Sequence, residues 1–281
     1  MGNQSITGFW PHSLSDLLQF VPFVPYNRQQ HMKPRILRYE TVTSTNSEVA
    51  RLASDGAEEG LAIVADEQTA GRGRLQRTWS SPKGAGLYFS ILLRPRVAAD
   101  RWPLITFVAA LATGDALRES GAVETDIKWP NDLLANERKI CGILAEAIET
   151  RSGRAVVVGI GINLTNNAFP EELIGIATSV EQESGRKPER ETMLAALLNG
   201  LMRWYALLHE PEGAEKIVAA WTSRSSYASD RLVQVTNGDE VLQGITRGIE
   251  NDGALRLETV AGIQLIRAGD VKNVRPAGMN V

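Results

Sequence analysis

The sequence predicts a chain of the α/β class, of the α+β kind, closed by a small all-β module at its C-terminal end. Three observations carry this. Short apolar strand-like runs and helical stretches interleave up to about residue 227. Beyond it, about five short strands crowd into roughly fifty residues, the mark of a small barrel. Asn237-Gly238 and Asn251-Asp252-Gly253 mark tight hairpin turns between them. The 281 residues suffice for one large domain and one small one. The expected division is an N-terminal extension over 1–33, a main domain over 34–227 and the module over 228–281.

The elements follow in order. Residues 1–33 carry an apolar stretch from Leu17 to Val24 broken by Pro22, without the charged start of a signal peptide. They are expected to form a poorly ordered extension. The body begins near Ile36. Thr45-Asn46-Ser47-Glu48 has the capping-box pattern, with Thr45 as N-cap of a helix to about Ala53. Leu61 to Ala65 is a buried strand leading into an arginine-rich loop, and Leu87 to Leu93 is a strand beyond the turn 81–86. Pro103 to Arg118 is alanine-rich and apolar, a buried helix. Asp126 to Trp129, Asp132 to Ala135 and Lys139 to Ile148 read as strands, the last two joined by a turn at Asn136-Glu137. Arg154 to Ile162 is a strand with two glycines where something must come close. Residues 165–189 are loop-rich, and helices follow over Glu191 to Leu208 and Ala214 to Thr222.

Composition narrows the function. A net charge of −3 argues against a general nucleic-acid binder. No apolar run of about 18 residues predicts a membrane span. The single cysteine, Cys141, rules out an internal disulfide and suits a reducing cytoplasm. It lies in the run Ile140-Cys141-Gly142-Ile143-Leu144 and reads as a small core residue.

The chemistry concentrates in Glu67-Gln68-Thr69-Ala70-Gly71-Arg72-Gly73-Arg74-Leu75-Gln76-Arg77-Thr78-Trp79. Arginine offers a planar fork of donors matched to carboxylate or phosphate, and glycine lets backbone N–H groups close on an anion. Such a loop is built to fold over a small anionic molecule. It is expected to be mobile when empty and to close over its ligand.

Three further clusters accompany it: Ser44-Thr45-Asn46; Lys128-Trp129-Pro130-Asn131-Asp132 followed by Arg138-Lys139 and Gly142; and Gly159-Ile160-Gly161-Ile162-Asn163. In this order and spacing, over roughly residues 36 to 275, the chain resembles the biotin protein ligases. The resemblance implies a mixed-sheet catalytic domain followed by an SH3-like barrel. It implies ATP and biotin as substrates with Mg²⁺, biotinyl-5′-AMP as intermediate, and a lysine of a biotin carboxyl carrier protein domain as acceptor.

By the same resemblance, Lys139, Arg74 and Asp132 are the catalytic candidates. Ser44, Thr45, Asn46, Gln68, Arg72, Gly73, Arg74, Lys139 and Gly142 are expected at biotin. Arg72, Arg74, Arg77, Trp79, Lys128, Asn131 and Asn163 are expected at the nucleotide. Mg²⁺ would ride mainly on the ATP phosphates. Hydroxyl and amide groups suit biotin's ureido ring, and a lysine suits a phosphate as a compact charge.

One position departs from the family pattern Gly-Arg-Gly-Arg-x-Gly-Arg: Gln76 stands where a glycine is usual, and a side chain there resists positive φ. Some members carry a winged helix that binds DNA. About 35 residues before the body are short for one, so a monofunctional ligase with no nucleic-acid or membrane partner is expected. A lipoate or octanoate ligase or transferase of the related fold, and a non-catalytic biotin-binding regulator, remain alternatives. Monomer and homodimer both stay open.

Overall fold

The computed structural model describes residues 32–166 and 169–273. The expectation for residues 1–31 lies outside them. A seven-stranded sheet is built from β1 (Arg35–Val42), β2 (Leu61–Gln68), β3 (Gly86–Leu93), β4 (Asp126–Lys128), β5 (Asp132–Ala135), β6 (Arg138–Thr150) and β7 (Gly153–Asn163). Its order is β1-β2-β3-β7-β6-β5-β4. Of these strands only β1 and β2 run parallel, so the sheet is mixed.

Strand alternation sends successive side chains to opposite faces, and each face has its own helix cover. One face carries Ile63, Leu92, Ala155 and Val157, packed under Val49 and Ala53 of α1 (Thr45–Ser54). The other carries Val64, Phe89, Ile91, Val158 and Ile160 beneath α2 (Leu104–Gly121). Both faces being covered explains why all eight residues of β3 are buried, although a half-buried alternation reads equally well from its sequence. In α2 every residue from Leu104 to Leu117 except Thr106 is buried. A helix apolar on all sides belongs at the centre of a core. It lies against α4 (Arg190–Leu208) and α5 (Gly213–Thr222), while the short α3 (Val180–Ser184) sits in the stretch that reads as loop.

The C-terminal module is an antiparallel SH3-like sheet of β8 (Ser229–Asn237), β9 (Glu240–Ile249), β10 (Leu255–Thr259), β11 (Gly262–Ile266) and β12 (Asp270–Asn273). The order is β11-β10-β9-β8-β12. Its inward residues Val233, Val235, Leu255, Leu257 and Val271 join the same hydrophobic core as α2. The Trp129 indole N–H donates to Gly253 O at 3.1 Å, and Phe107 stacks on Trp221 with centroids 4.5 Å apart. Trp129 therefore anchors the module to the main sheet. Among the described residues no helix is long and apolar enough to cross a membrane.

The capping box is not formed. Ser44, not Thr45, is the N-cap of α1, and no side chain caps it. The Thr45 hydroxyl lies 3.0 Å from Gln68 Oε1 and 2.7 Å from the Ser90 hydroxyl, while Glu48 is taken by Arg51 and Tyr39. A buried hydroxyl network outweighs a local cap here.

Asp115 of α2 locks the helical layer. Its carboxylate, 3% exposed, meets Arg118 at 2.8 Å, Arg224 at 2.7 Å and Arg203, and accepts from the Trp204 indole at 2.8 Å. Burial opposes its ionisation, but Trp204, Arg224 and Arg203 outweigh burial and hold the carboxyl below its ordinary value. Asp115→Asn is expected to cost about 3 kcal/mol in urea unfolding at neutral pH, because it strands buried donors and cations. A carboxyl depressed in the folded state stabilises above its unfolded pKa of about 3.9. The gap between the two proteins should therefore shrink as pH falls below about 4 and through the folded value.

Candidate active site

The pairing register places one row of neighbours across the whole sheet. Ala65 lies beside Tyr88, Tyr88 beside Gly161, Gly161 beside Gly142, Gly142 beside Asp132, and Asp132 beside Lys128. The adjacent row carries Ile63, Ser90, Gly159 and Leu144. Both rows lie on the α1 face. Along β7 that face runs Ala155, Val157, Gly159, Gly161, so side chains vanish where α1 begins and the sheet becomes a floor.

Two groups occupy the space the glycines leave. A Cβ at Gly159 would overlap Asn46 Oδ1, and a Cβ at Gly161 would overlap the Trp79 indole. Trp79 also lies above Gly142, where an added Cβ would come within 2.8 Å of its ring. The buried Trp79 indole nitrogen has no hydrogen-bond partner among the described residues. It lies directly over Gly161, packed against the floor.

The walls come from the motifs. Ser44, Thr45 and Asn46 are all buried at the start of α1. Asn46 Oδ1 accepts from Ser90 at 2.6 Å, and its amide donates to Glu146 at 2.8 Å. Gln68 accepts from the Thr45 backbone at 2.8 Å and donates to Ser81 at 2.7 Å. This network fixes the orientation of each polar group before any ligand arrives.

The arginine loop lies over the floor as a self-bonded hairpin. Gly73 N–H donates to Arg77 O at 2.7 Å and Trp79 N–H to Gly71 O at 2.9 Å. These bonds give the loop a defined shape of its own. Leu75 and Gln76 both sit in the left-handed region, with φ of 52° and 59°. Gln76 keeps the backbone shape a glycine would adopt, at a cost of about 1–2 kcal/mol.

The hairpin's cations have different partners. Arg72 pairs with Glu146 and Arg77 with Asp270. Among the described residues Arg74 meets only the Asn131 amide oxygen, at 3.3 Å. Burial pulls the Arg74 pKa below the usual arginine value, with Asp270 and Asp132 opposing. Lys139 Nζ lies 2.7 Å from Asp132 Oδ1 and 5.3 Å from the Trp79 ring centre. Its backbone is clamped: Lys139 N–H donates to Ile176 O, and Lys139 O accepts from Thr178 N–H, both at 2.9 Å.

One pocket therefore gathers Ser44, Thr45, Asn46, Gln68, Arg72, Gly73, Arg74, Arg77, Trp79, Asn131, Asp132, Lys139 and Gly142. Two sequence-predicted residues stand outside its lining. Lys128, at the end of the floor row, has its ammonium 5.6 Å from the Tyr227 ring centre, and burial lowers its pKa. Asn163 donates to Thr178 O at 3.0 Å and to Lys139 O at 3.4 Å, so it braces the lysine's backbone. Sequence reasoning missed Tyr88, Ser90, Glu146 and Asp270. Cys141 is buried on the opposite face, where burial pushes its thiol up.

The comparisons with known proteins agree with this geometry. The Biotin/lipoate A/B protein ligase family matches residues 39–163, and the Biotin protein ligase C terminal domain matches residues 228–272. A "Biotin--[acetyl-CoA-carboxylase] ligase" of Paracoccus denitrificans is 39% identical over 236 residues, covering 81% of this chain and 96% of its own length. The "Bifunctional ligase/repressor BirA" of Bacillus subtilis (strain 168) is 36% identical over 245 residues, covering 86% and 74%. The structure of the biotin protein ligase from Aquifex aeolicus in complex with biotin and ATP superposes with a TM-score of 0.74 at 30% identity, covering 87% of this chain and all of that one. The chain belongs to the biotin protein ligase family. Within it, the chain is a biotin ligase enzyme.

Gly159→Ala is expected to cost about 1–3 kcal/mol in urea unfolding, since its Cβ meets a fixed, doubly bonded amide. Adding Asn46→Ser removes the overlapping atom and should recover part of that loss, which a double-mutant cycle measures.

Proposed function

We propose that the chain joins biotin to ATP as biotinyl-5′-AMP, and passes the biotinyl group to a lysine of a biotin carboxyl carrier protein domain of acetyl-CoA carboxylase type. The observation that carries this is the placement of Lys139 and Asp132 at the end of a glycine floor, beneath an arginine hairpin. In the first step a biotin carboxylate oxygen attacks the α-phosphorus, and the bond to the bridging oxygen of pyrophosphate breaks. In the second step the acceptor amine attacks the acyl carbonyl, loses a proton, and AMP leaves.

Bringing a carboxylate to a polyphosphate needs fixed positive charge more than acid–base chemistry. Arg74 suits that role, being partly buried and paired with no carboxylate among the described residues. Lys139 bridges carbonyl and phosphate in this reading, held by Asp132 and by its clamped backbone. In this reading Asp132 also takes the proton of the incoming amine, whose free pKa is about 10.4. Ser44, Thr45, Asn46, Gln68, Gly73 and Gly142 line the biotin end. Arg72, Arg77, Trp79 and Asn131 serve the nucleotide end, and Asn163 supports it by bracing Lys139. Closing the hairpin would shield the anhydride from water. Among the described residues no group of three or more His, Cys, Asp or Glu side chains forms a metal cage. In this reading Mg²⁺ rides mainly on the nucleotide phosphates. We place the reaction in the cytoplasm.

The names of the Paracoccus and Aquifex relatives support biotin and ATP over lipoate. Incubation with ATP and labelled biotin or lipoate, then with a carboxylase carrier domain, tests the reading. Biotin should label the carrier only with ATP, and lipoate should not. Release of no pyrophosphate would leave a binding regulator instead. Lys139→Ala is expected to slow biotinyl-AMP formation on the order of 10²-fold while weakening biotin binding far less. Equal losses in both would remove the proposed role of that lysine.

A further inference from the structure

The two ends of the arginine hairpin are held by carboxylates from different parts of the chain. Glu146 reaches Arg72 from β6, and Asp270 reaches Arg77 from β12 of the C-terminal module. The placement of Asp270 follows from strand alternation. Val271 is buried in the module's own core and pairs with Val235 on β8. Its neighbour Asp270 must then face the other way, and its carboxylate lines the pocket. That side chain is 17% exposed, whereas Arg77 is 64% exposed. The pair thus joins a largely buried carboxylate to an exposed guanidinium.

We infer that Asp270 is a positioning residue that competes with nucleotide phosphate for Arg77, so that the C-terminal module sets how readily the hairpin receives ATP. The inference rests on the ligase reading. Arg77 meets Asp270 through one ion-pair contact, Nη2 to Oδ2, and a phosphate oxygen drawing on the same guanidinium competes with it for that charge. Whatever holds Arg77 on Asp270 is subtracted from nucleotide affinity, as for any two-state element biased toward the form that does not bind. The carboxylate also places a fixed negative charge beside the phosphates. Arg74 has no such keeper among the described residues, so it can act on the α-phosphate without exchange.

Asp270→Asn in the full chain tests this. Without ligands, chymotrypsin should cut the hairpin at Leu75 and Trp79 about 3-fold faster or more, because one of its two pins is gone. In pyrophosphate release, the KM for ATP should fall about 3-fold or more at low salt, with a smaller change in high salt. The KM for biotin should stay within about 2-fold, and Asp270→Glu should behave as wild type. If Asp270→Asn does not fold, Arg77→Gln removes the same pair from the exposed side and should speed cleavage equally. Cleavage at the wild-type rate, or a KM for ATP that stays or rises, overturns the inference. A wild-type chain that releases no pyrophosphate with biotin would instead sink the ligase reading, and cleavage alone would then decide whether the pair pins the hairpin.

Discussion

The site depends on two glycines lying side by side. Gly142 and Gly161 are cross-strand neighbours in the centre of the main sheet, and Gly159 lies two residues back. Together they empty the α1 face of side chains where β6 and β7 pass beneath the arginine hairpin. Trp79 can settle there only because nothing projects upward, and its position brings the hairpin down over Lys139. With larger residues at these points, the hairpin would have no floor to lie on, and its cations would face water rather than a ligand. The floor is close-packed, since a single added carbon overlaps Asn46 or Trp79.

Charge is arranged on top of that floor with unequal freedom. Lys139, Arg72 and Arg77 each face a carboxylate, so each is oriented by a partner. Arg74 is turned inward with an amide oxygen for company. A site that neutralised every cation would attract no anion, and one that neutralised none would repel itself apart. The arrangement lies between, with its least compensated arginine at the middle of the hairpin.

Much of this was legible in the sequence, because the motifs are contiguous strings whose spacing survives folding. The arginine loop, Ser44-Thr45-Asn46, Lys139 with Gly142, and the paired glycines of β7 all stand in the pocket they suggested. The sequence also marked Gly159 and Gly161 as places of close approach, without naming the visitors. Glu146 and Asp270 were not legible. Each is a lone acid on a strand, and its meeting with an arginine depends on sheet register and on how the C-terminal module sits against the main sheet. Thr45 misled for a related reason: a capping pattern is local, whereas Gln68 and Ser90 reach it from other strands. Lys128 belongs to a motif string, yet its side chain turns toward Tyr227 rather than into the pocket.

The anchorage of Trp129 has a further consequence. Its indole N–H is satisfied by a carbonyl of the C-terminal module, and the module's inward strands share one apolar core with α2. The two sheets therefore have separate hydrogen-bond ladders but a common interior. Neither can lose its packing without exposing the other's. A chain shortened before Gly253 would present an orphaned indole donor and a bared flank of α2 to water. Heat or denaturant should accordingly find one cooperative unit from β1 to β12 rather than a stable domain carrying a detachable appendage.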